Sequence, residues 1–381
     1  MTHSDILIIG GGIAGMSAAY FLTKTGKSVT VLEREDQPGY HSTGRSAALY
    51  SETYGPKIIR KMSTASRDFF LNPPAGFTEN PILTPRGIIM YAGPGEEAEL
   101  DALISEGRAN GANFTELTPD ALKEIVPILN TDLIAKGAHE PDAMDIDVHA
   151  LHWGFIRQFK AVGGNLVIKA DVSAIAKAGD NWQITLANGD VHSGAILVNA
   201  AGAWADDIAT KAGVKPLGIV PKRRTAVMVD APDGMDIHGL PMVAALDESL
   251  YFKEDAGRLL VSPADKTPTE AHDVQPEELD IAIAIDRLMT ATSVVVRRAG
   301  ESWAGLRSFF ADGDPVSSFD PQDDSFYWLA GQGGYGIQTA PAMGEYAASL
   351  ICGNGIPAHM EKLGVSEDAL SASRPTLASG K

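Results

Sequence analysis

Two textures of hydrophobic and polar positions succeed one another along the chain. Residues 5–9 are a short apolar run ending in Gly10, Gly11 and Gly12, the pattern of a parallel strand buried on both faces. Residues 13–25 then predict a helix, Gly26 stops it where a left-handed cap is wanted, and residues 28–32 predict a second buried strand, giving a βαβ unit. The same grammar returns later. Asp147 is placed to cap a helix running to about Val162 and ended by Gly163 and Gly164, and Asn188-Gly189 between 182–186 and Val191 predicts a hairpin. Residues 195–199 and 326–330 predict two more buried strands. The second leads through Gly331, Gly333, Gly334 and Gly336 into a helix expected from Pro341 to Ile351.

The other texture fills residues 81–144 and 220–324, with Pro-bounded loops, an amphipathic stretch at 276–290 and β-rich runs at 225–229 and 293–296. This division predicts one discontinuous α/β domain over 1–80, 145–219 and 325–381, and a second domain inserted twice into it. The acidic loop 265–278 reads as a solvated surface connection, with a mobile lid as the alternative.

Composition narrows the function. A chain of 381 residues with a net charge of −18 and no basic run is a poor partner for nucleic acid, and its length removes any need for a metal or disulfide to hold a small core. Its one cysteine, Cys352, fits a reducing compartment and cannot form an internal disulfide or a multi-cysteine metal site. Residues 6–23 carry no charge and reach membrane-spanning length, yet their glycines and the lack of a basic flank favour a buried strand, turn and helix. The nine histidines show no metal-ligand spacing, so no metal is expected, and no Gly-flanked serine elbow or cysteine nucleophile supports hydrolysis.

The informative motif is Gly10-x-Gly12-x-x-Gly15, which carries Ile13 and Ala14 between a strand and a helix, with Glu33 ending the next strand. Such glycines permit a tight turn, backbone approach to a pyrophosphate and close helix–strand packing, and the carboxylate suits ribose hydroxyls. The helix N-terminus adds free N–H groups and positive partial charge. The pattern predicts a Rossmann-like dinucleotide site. The following segment, Gly39-Tyr40-His41-Ser42-Thr43-Gly44-Arg45-Ser46-Ala47-Ala48, is too long for an ordinary return to a third strand, and suits the far half of a long cofactor such as FAD.

With that segment, the chain resembles the FAD-dependent D-amino-acid oxidase and dehydrogenase family, which includes glycine and sarcosine oxidases. The likeness runs through 199–204, 221–224, 247–253, 303–309 and 332–339 and is greatest to bacterial D-arginine dehydrogenases. It implies a second domain built on an antiparallel sheet and noncovalent FAD. By the same resemblance Gly12, Ile13, Ala14, Gly15, Glu33 and Arg34 hold the ADP half. Ser42, Thr43, Arg45, Ser46, Ala47, Ala48 and Leu49 line the pyrophosphate, ribityl chain and flavin. Val172 would take the adenine end, and Ala201, Gly202 and Trp204 the middle. Gly305, Leu306, Gly333, Tyr335, Gly336, Ile337, Gln338 and Thr339 would take the isoalloxazine.

Oxidising an amino acid on a flavin needs a carboxylate clamp, a slot for the side chain and a neutral amine. Clamp candidates are Arg307 and one of the neighbours Arg223 and Arg224, since adjacent strand residues face opposite ways. The family pattern favours Arg224, adds Tyr54 and Tyr251 at the carboxylate, and gives the Gly334 carbonyl to the amine. Where D-arginine dehydrogenases have an acidic residue this chain has Ile88, and where they have a histidine it has Leu49. With Met90 these make the slot apolar, favouring neutral side chains. The expected activity is oxidative deamination of a D-amino acid, with oxygen, a quinone or a carrier protein as electron acceptor. The alternatives are oxidation of an N-substituted amino acid and a noncatalytic FAD-binding role. The compartment expected is the cytoplasm, with membrane association only through the acceptor.

Overall fold

The computed structural model describes residues 2–232 and 234–379. Their strands form two eight-stranded sheets and one of three strands. The first sheet runs in the order Val172–Ala178, Asn181–Leu186, Val191–Asn199, Thr2–Ile9, Val29–Leu32, Asn165–Val167. Asp323–Ala330 pairs in parallel with the end of Val191–Asn199. Thr2–Ile9 sends Ile6 and Ile8 into one core and Leu7 and Ile9 into another, so the uncharged run is buried on both faces. Helices Ile13–Thr23, Val148–Ala161 and Gly336–Ile351 supply the first of those cores. Among the described residues no helix is long and apolar enough to cross a membrane.

Local signals place most elements as expected. Asp147 caps its helix, its carboxylate accepting from the Ala150 N–H at 2.7 Å. The hairpin forms around Asn188-Gly189, with Gly189 at φ +89°. Three expectations need correction. The last long helix starts at Gly336 rather than Pro341, which sits inside it, so residues 336–339 form its first turn. Residues 293–296 are not a strand. Only Thr292 bridges to Leu129, Val295 is 72% exposed, and both edges of the second sheet belong to other strands. Val316–Asp320, within 220–324, pairs with Asp323–Ala330 in the first sheet.

The second sheet has the order Ser302–Phe309, Val220–Asp230, Arg258–Ser262, Tyr251–Asp255, Met242–Ala245, Ile88–Ala92, Lys136–Glu140, Thr115–Leu117. All neighbours are antiparallel except Met242–Ala245 with Ile88–Ala92. One face carries Val227, Val229, Val243, Phe252, Leu259 and Val261 into a core shared with the helix Glu278–Ala291. The other face turns towards the first sheet, where Ala47 packs with Tyr251 and Trp303 against Ala226, Met228 and Leu260. The small sheet of Leu49–Tyr50, Met144–Ile146 and Leu83–Pro85 lies at the junction. It is fixed to the second sheet by Asp145, which takes Arg86 at 2.5 Å and Lys253 at 2.8 Å.

Candidate functional site

The dinucleotide end is built by backbone that side chains cannot enter. A Cβ on Gly15 would lie 1.9 Å from the Gly10 carbonyl oxygen, and one on Gly10 2.3 Å from that of Ala200. The helix begun by Ile13 has no side-chain cap at Gly12 and no acid in its first turn, leaving its positive end available to phosphate. Thr43 Oγ1 accepts from the Ile13 N–H at 3.0 Å and ties in the 39–48 segment. Glu33 ends the second strand as expected, 9% exposed, its carboxylate accepting from the N–H groups of Gly11 and Glu35 at 2.7 and 2.8 Å. Arg34 stacks its guanidinium 4.3 Å from the centre of the Trp204 ring. Val172 lies in the first sheet, where residues 169 and 170 bond along Glu33 and Glu35.

The flavin-side residues meet where the sheets join. Ser42 donates to the Leu306 carbonyl at 2.6 Å, Trp303 Nε1 to the Arg45 carbonyl at 3.1 Å, and Gly333 N–H to the Ser308 carbonyl at 3.0 Å. The Arg45 guanidinium donates to the carbonyls of Val274 and Ala304 and pairs with Asp273. The loop 265–278 is exposed along most of its length, as expected of a surface connection, but Val274 is 2% exposed and anchors it at the junction. The first turn of the helix Gly336–Ile351 holds no capping side chain or acid, and Gln332 Nε2 just before it is buried without a hydrogen-bond partner. Open helix ends, an orphaned donor and a glycine cradle at a strand end are what FAD requires of a protein, so these residues fit it.

Register shows which residues share one face of the second sheet, since cross-strand partners point the same way. Arg307 pairs with Lys222 and Gly305 with Arg224 on adjoining strands. Tyr251 pairs with Ala244, Ala244 with Met90, Met242 with Ile88, and Ile88 with Glu140. Alternation resolves the arginine pair. Arg223 points to the opposite face, 8% exposed, and pairs with Asp280 at 2.8 Å and with Glu277. Arg224 shares the face of Arg307, donates to the Asp265 carbonyl at 2.9 Å and lies 5.8 Å from the Tyr251 ring centre.

Arg307 donates to the Tyr54 hydroxyl at 3.1 Å, with the Phe309 and Tyr335 rings 5.7 and 5.8 Å away. Burial raises the Tyr335 phenol to about 12, so it remains a neutral donor. Among the described residues no carboxylate pairs with Arg307 or Arg224. Gly334 makes room for Arg307, because a Cβ there would fall 1.4 Å from Arg307 Nη2. Ile88 and Met90 lie four strands from Arg224 on the same face. The segment before Tyr54 spans the gap: Thr53 donates to Glu140 at 2.7 Å while Tyr54 meets Arg307.

Sequence reasoning passed over Glu140 and His152, and named Gln338 only for the isoalloxazine. Glu140, 3% exposed, accepts from Ser51 and Thr53, and burial raises its carboxyl above the usual range. Gln338 fastens the same segment from the other side, accepting from the Ser51 N–H and donating to the Tyr54 carbonyl. Buried His152 bonds the Gly11 carbonyl at 2.9 Å and lies against Gly39, joining the two cofactor loops. Burial pushes its imidazole down to about 4, so it is neutral and donates from Nε2. Alternation on their strands places Glu140 and Lys222 on a face, but which face binds substrate is not a local property.

Known proteins share the family and the fold of this chain. Residues 5–350 match the family model described as DAO, FAD dependent oxidoreductase. Glycine oxidase of Bacillus licheniformis is 25% identical over 92% of this chain and 93% of its own. Mitochondrial dimethylglycine dehydrogenase of Mus musculus is 24% identical over 92% of this chain and 42% of its own. The crystal structure of glycine oxidase from Geobacillus kaustophilus superposes with a TM-score of 0.82 at 23% identity, covering 94% of this chain and 96% of that one. With a glycine cradle for the dinucleotide and an arginine-bearing sheet facing it, the chain belongs to the DAO family of FAD-dependent oxidoreductases.

Proposed function

We propose that the protein oxidises the Cα–N bond of a free D-amino acid with a neutral side chain, giving an imino acid that water converts to a 2-oxo acid and ammonia. The observation that carries this is Arg307, bonded to Tyr54 with no carboxylate among the described residues to neutralise it. Bound FAD supplies the hydride acceptor. Arg307, Arg224 and Tyr54 hold the substrate carboxylate, Tyr251 covers it, and the Gly334 carbonyl accepts from the amine. Held so, Cα–H needs orientation more than a protein acid or base.

Ile88, Met90 and Leu49 supply the apolar slot. A cationic head buried beside Ile88 would cost several kcal/mol without a partner. Glu140, its cross-strand neighbour, already accepts from two hydroxyls. This departs from D-arginine dehydrogenases, which the chain resembles. We assign residues 81–144 and 220–324 to the substrate domain, save for Val316–Asp320.

A second reading, oxidation of an N-substituted amino acid, is supported by the relative named dimethylglycine dehydrogenase. The test compares kcat/KM for D-Leu, D-Met and D-Phe with D-Arg, D-Lys and their N-methyl forms, in wild type and Ile88→Glu. The proposal expects neutral primary amines to lead and D-Arg to gain in the variant. Preference of the wild type for D-Arg would refute the slot, and preference for N-methyl substrates would establish the second reading.

A further inference from the structure

Lys222 is the third cation on the substrate face, and the clamp as described does not use it. Its strand position lies directly opposite Arg307 in the antiparallel pair, so both side chains leave the sheet on the same side. Its ammonium stands 5.2 Å from the centre of the Phe309 ring, which the Arg307 guanidinium approaches to 5.7 Å. The ring therefore carries a cation from each strand. Arg224, two residues along the strand, completes a group of three.

Among the described residues no ion pair neutralises Lys222 or Arg307, and Arg224 has only the through-space attraction of Asp265, whose backbone carbonyl it bonds. The chain carries a net charge of −18, yet among the described residues no carboxylate or hydrogen-bond acceptor meets the Lys222 ammonium. Three acids of the loop that bridges to Lys222 at Pro268 are engaged elsewhere. Asp265 takes Thr225, Asp273 takes Arg45, and Glu277 takes Arg223. Arg223, next in the chain, has acidic partners while Lys222 has none. Three like charges left together on a half-buried face repel one another unless an anion is to be received there.

We infer that Lys222 recruits the substrate carboxylate, drawing it to the face where Arg307 and Arg224 then hold it. This rests on the reading of Arg307 as a carboxylate clamp. A positive patch in an otherwise acidic surface focuses the field and raises the rate of encounter, an effect that salt screens. A cation of this kind acts on the association rate, whereas the desolvated clamp acts on dissociation. Phe309 keeps the flexible lysine stem beside Arg307 instead of in open water.

The experiment uses the FAD-loaded protein and a simple carboxylate, benzoate, whose binding is followed by stopped-flow through the flavin absorbance. Lys222→Gln should lower the association rate constant roughly three- to tenfold at low ionic strength and flatten its dependence on salt, with a smaller change in the dissociation rate. Lys222→Arg should restore both the rate and the salt dependence. With substrate, the loss should appear in kcat/KM and fade as salt is added. An association rate and salt slope unchanged in Lys222→Gln, while the wild type binds benzoate, would overturn the recruiting role and leave the clamp standing. A wild type with FAD bound but no affinity for any carboxylate would overturn the clamp and this inference with it.

Discussion

The cofactor region and the substrate region are built on opposite physical plans. Around Gly10–Gly15 the working groups are backbone amides and carbonyls, held by contacts too close for a side chain and by a neutral histidine. On the substrate face the working groups are long cationic side chains on adjoining antiparallel strands, and glycine serves to clear space for one of them. Helix ends and backbone recognise a phosphate chain common to many proteins, while side chains on a sheet can be exchanged without altering the fold. Damage to the first region should therefore cost cofactor and fold, and damage to the second should cost turnover.

The largest effect expected is from Gly15→Val, whose side chain has no room against the Gly10 carbonyl. The variant should purify without FAD or fail to fold, and yellow protein with normal FAD content would break the contrast. Arg223→Ala comes next, because it leaves the buried Asp280 carboxylate unpaired. A loss of about 3–5 kcal/mol in unfolding free energy is expected by denaturant titration, with turnover per folded molecule largely kept. A collapse in turnover at unchanged stability would mean that Arg223, not Arg224, serves the substrate.

Acid sharpens the comparison through His152. Its folded value near 4 lies below the ordinary 6.5, so the unfolded chain takes up the proton first. Its contribution is complete above pH 6.5 and is lost as pH falls towards 4, by up to about 3 kcal/mol. Wild type should lose stability relative to His152→Gln across that window. Parallel melting curves for the two would contradict a buried neutral histidine. The smallest effect is from Gly334→Ala, where the added methyl pushes Arg307 aside. Roughly a tenfold fall in kcat/KM, equivalent to about 1.4 kcal/mol, is expected with FAD content unchanged. Unaltered kinetics would show that the clamp tolerates displacement.

The same contrast explains what could be read from the sequence. The βαβ unit, Glu33 and the Asp147 cap were legible because each is a local pattern with one structural meaning. The start of the last helix was misplaced because Pro341 is a common first-turn residue, whereas the glycine turn before Gly336 ends sooner. Residues 293–296 have strand composition but join no strand, and only the neighbouring Thr292 makes an isolated bridge, to Leu129. On the substrate face Arg307 and Arg224 stood out through resemblance. Glu140 and Lys222 became visible only once register put them beside Ile88 and Arg307. The loop 265–278 is exposed as its charges suggested, but its anchoring to Arg45 and Arg223 depends on partners distant in sequence and was not legible.

Arg307 as a carboxylate clamp, on a face separate from the residues that retain FAD, is the central proposal. The direct measurement is anaerobic titration of wild type and Arg307→Ala with a D-amino-acid panel, following loss of the flavin absorbance and measuring FAD by acid release. The wild type should bleach with a neutral D-amino acid and release free FAD. The variant should keep its FAD while the efficiency of reduction falls at least roughly a hundredfold, equivalent to about 2.7 kcal/mol. Near-normal reduction of Arg307→Ala with FAD in place would contradict the clamp, and loss of FAD from that variant would contradict the separation of the two regions.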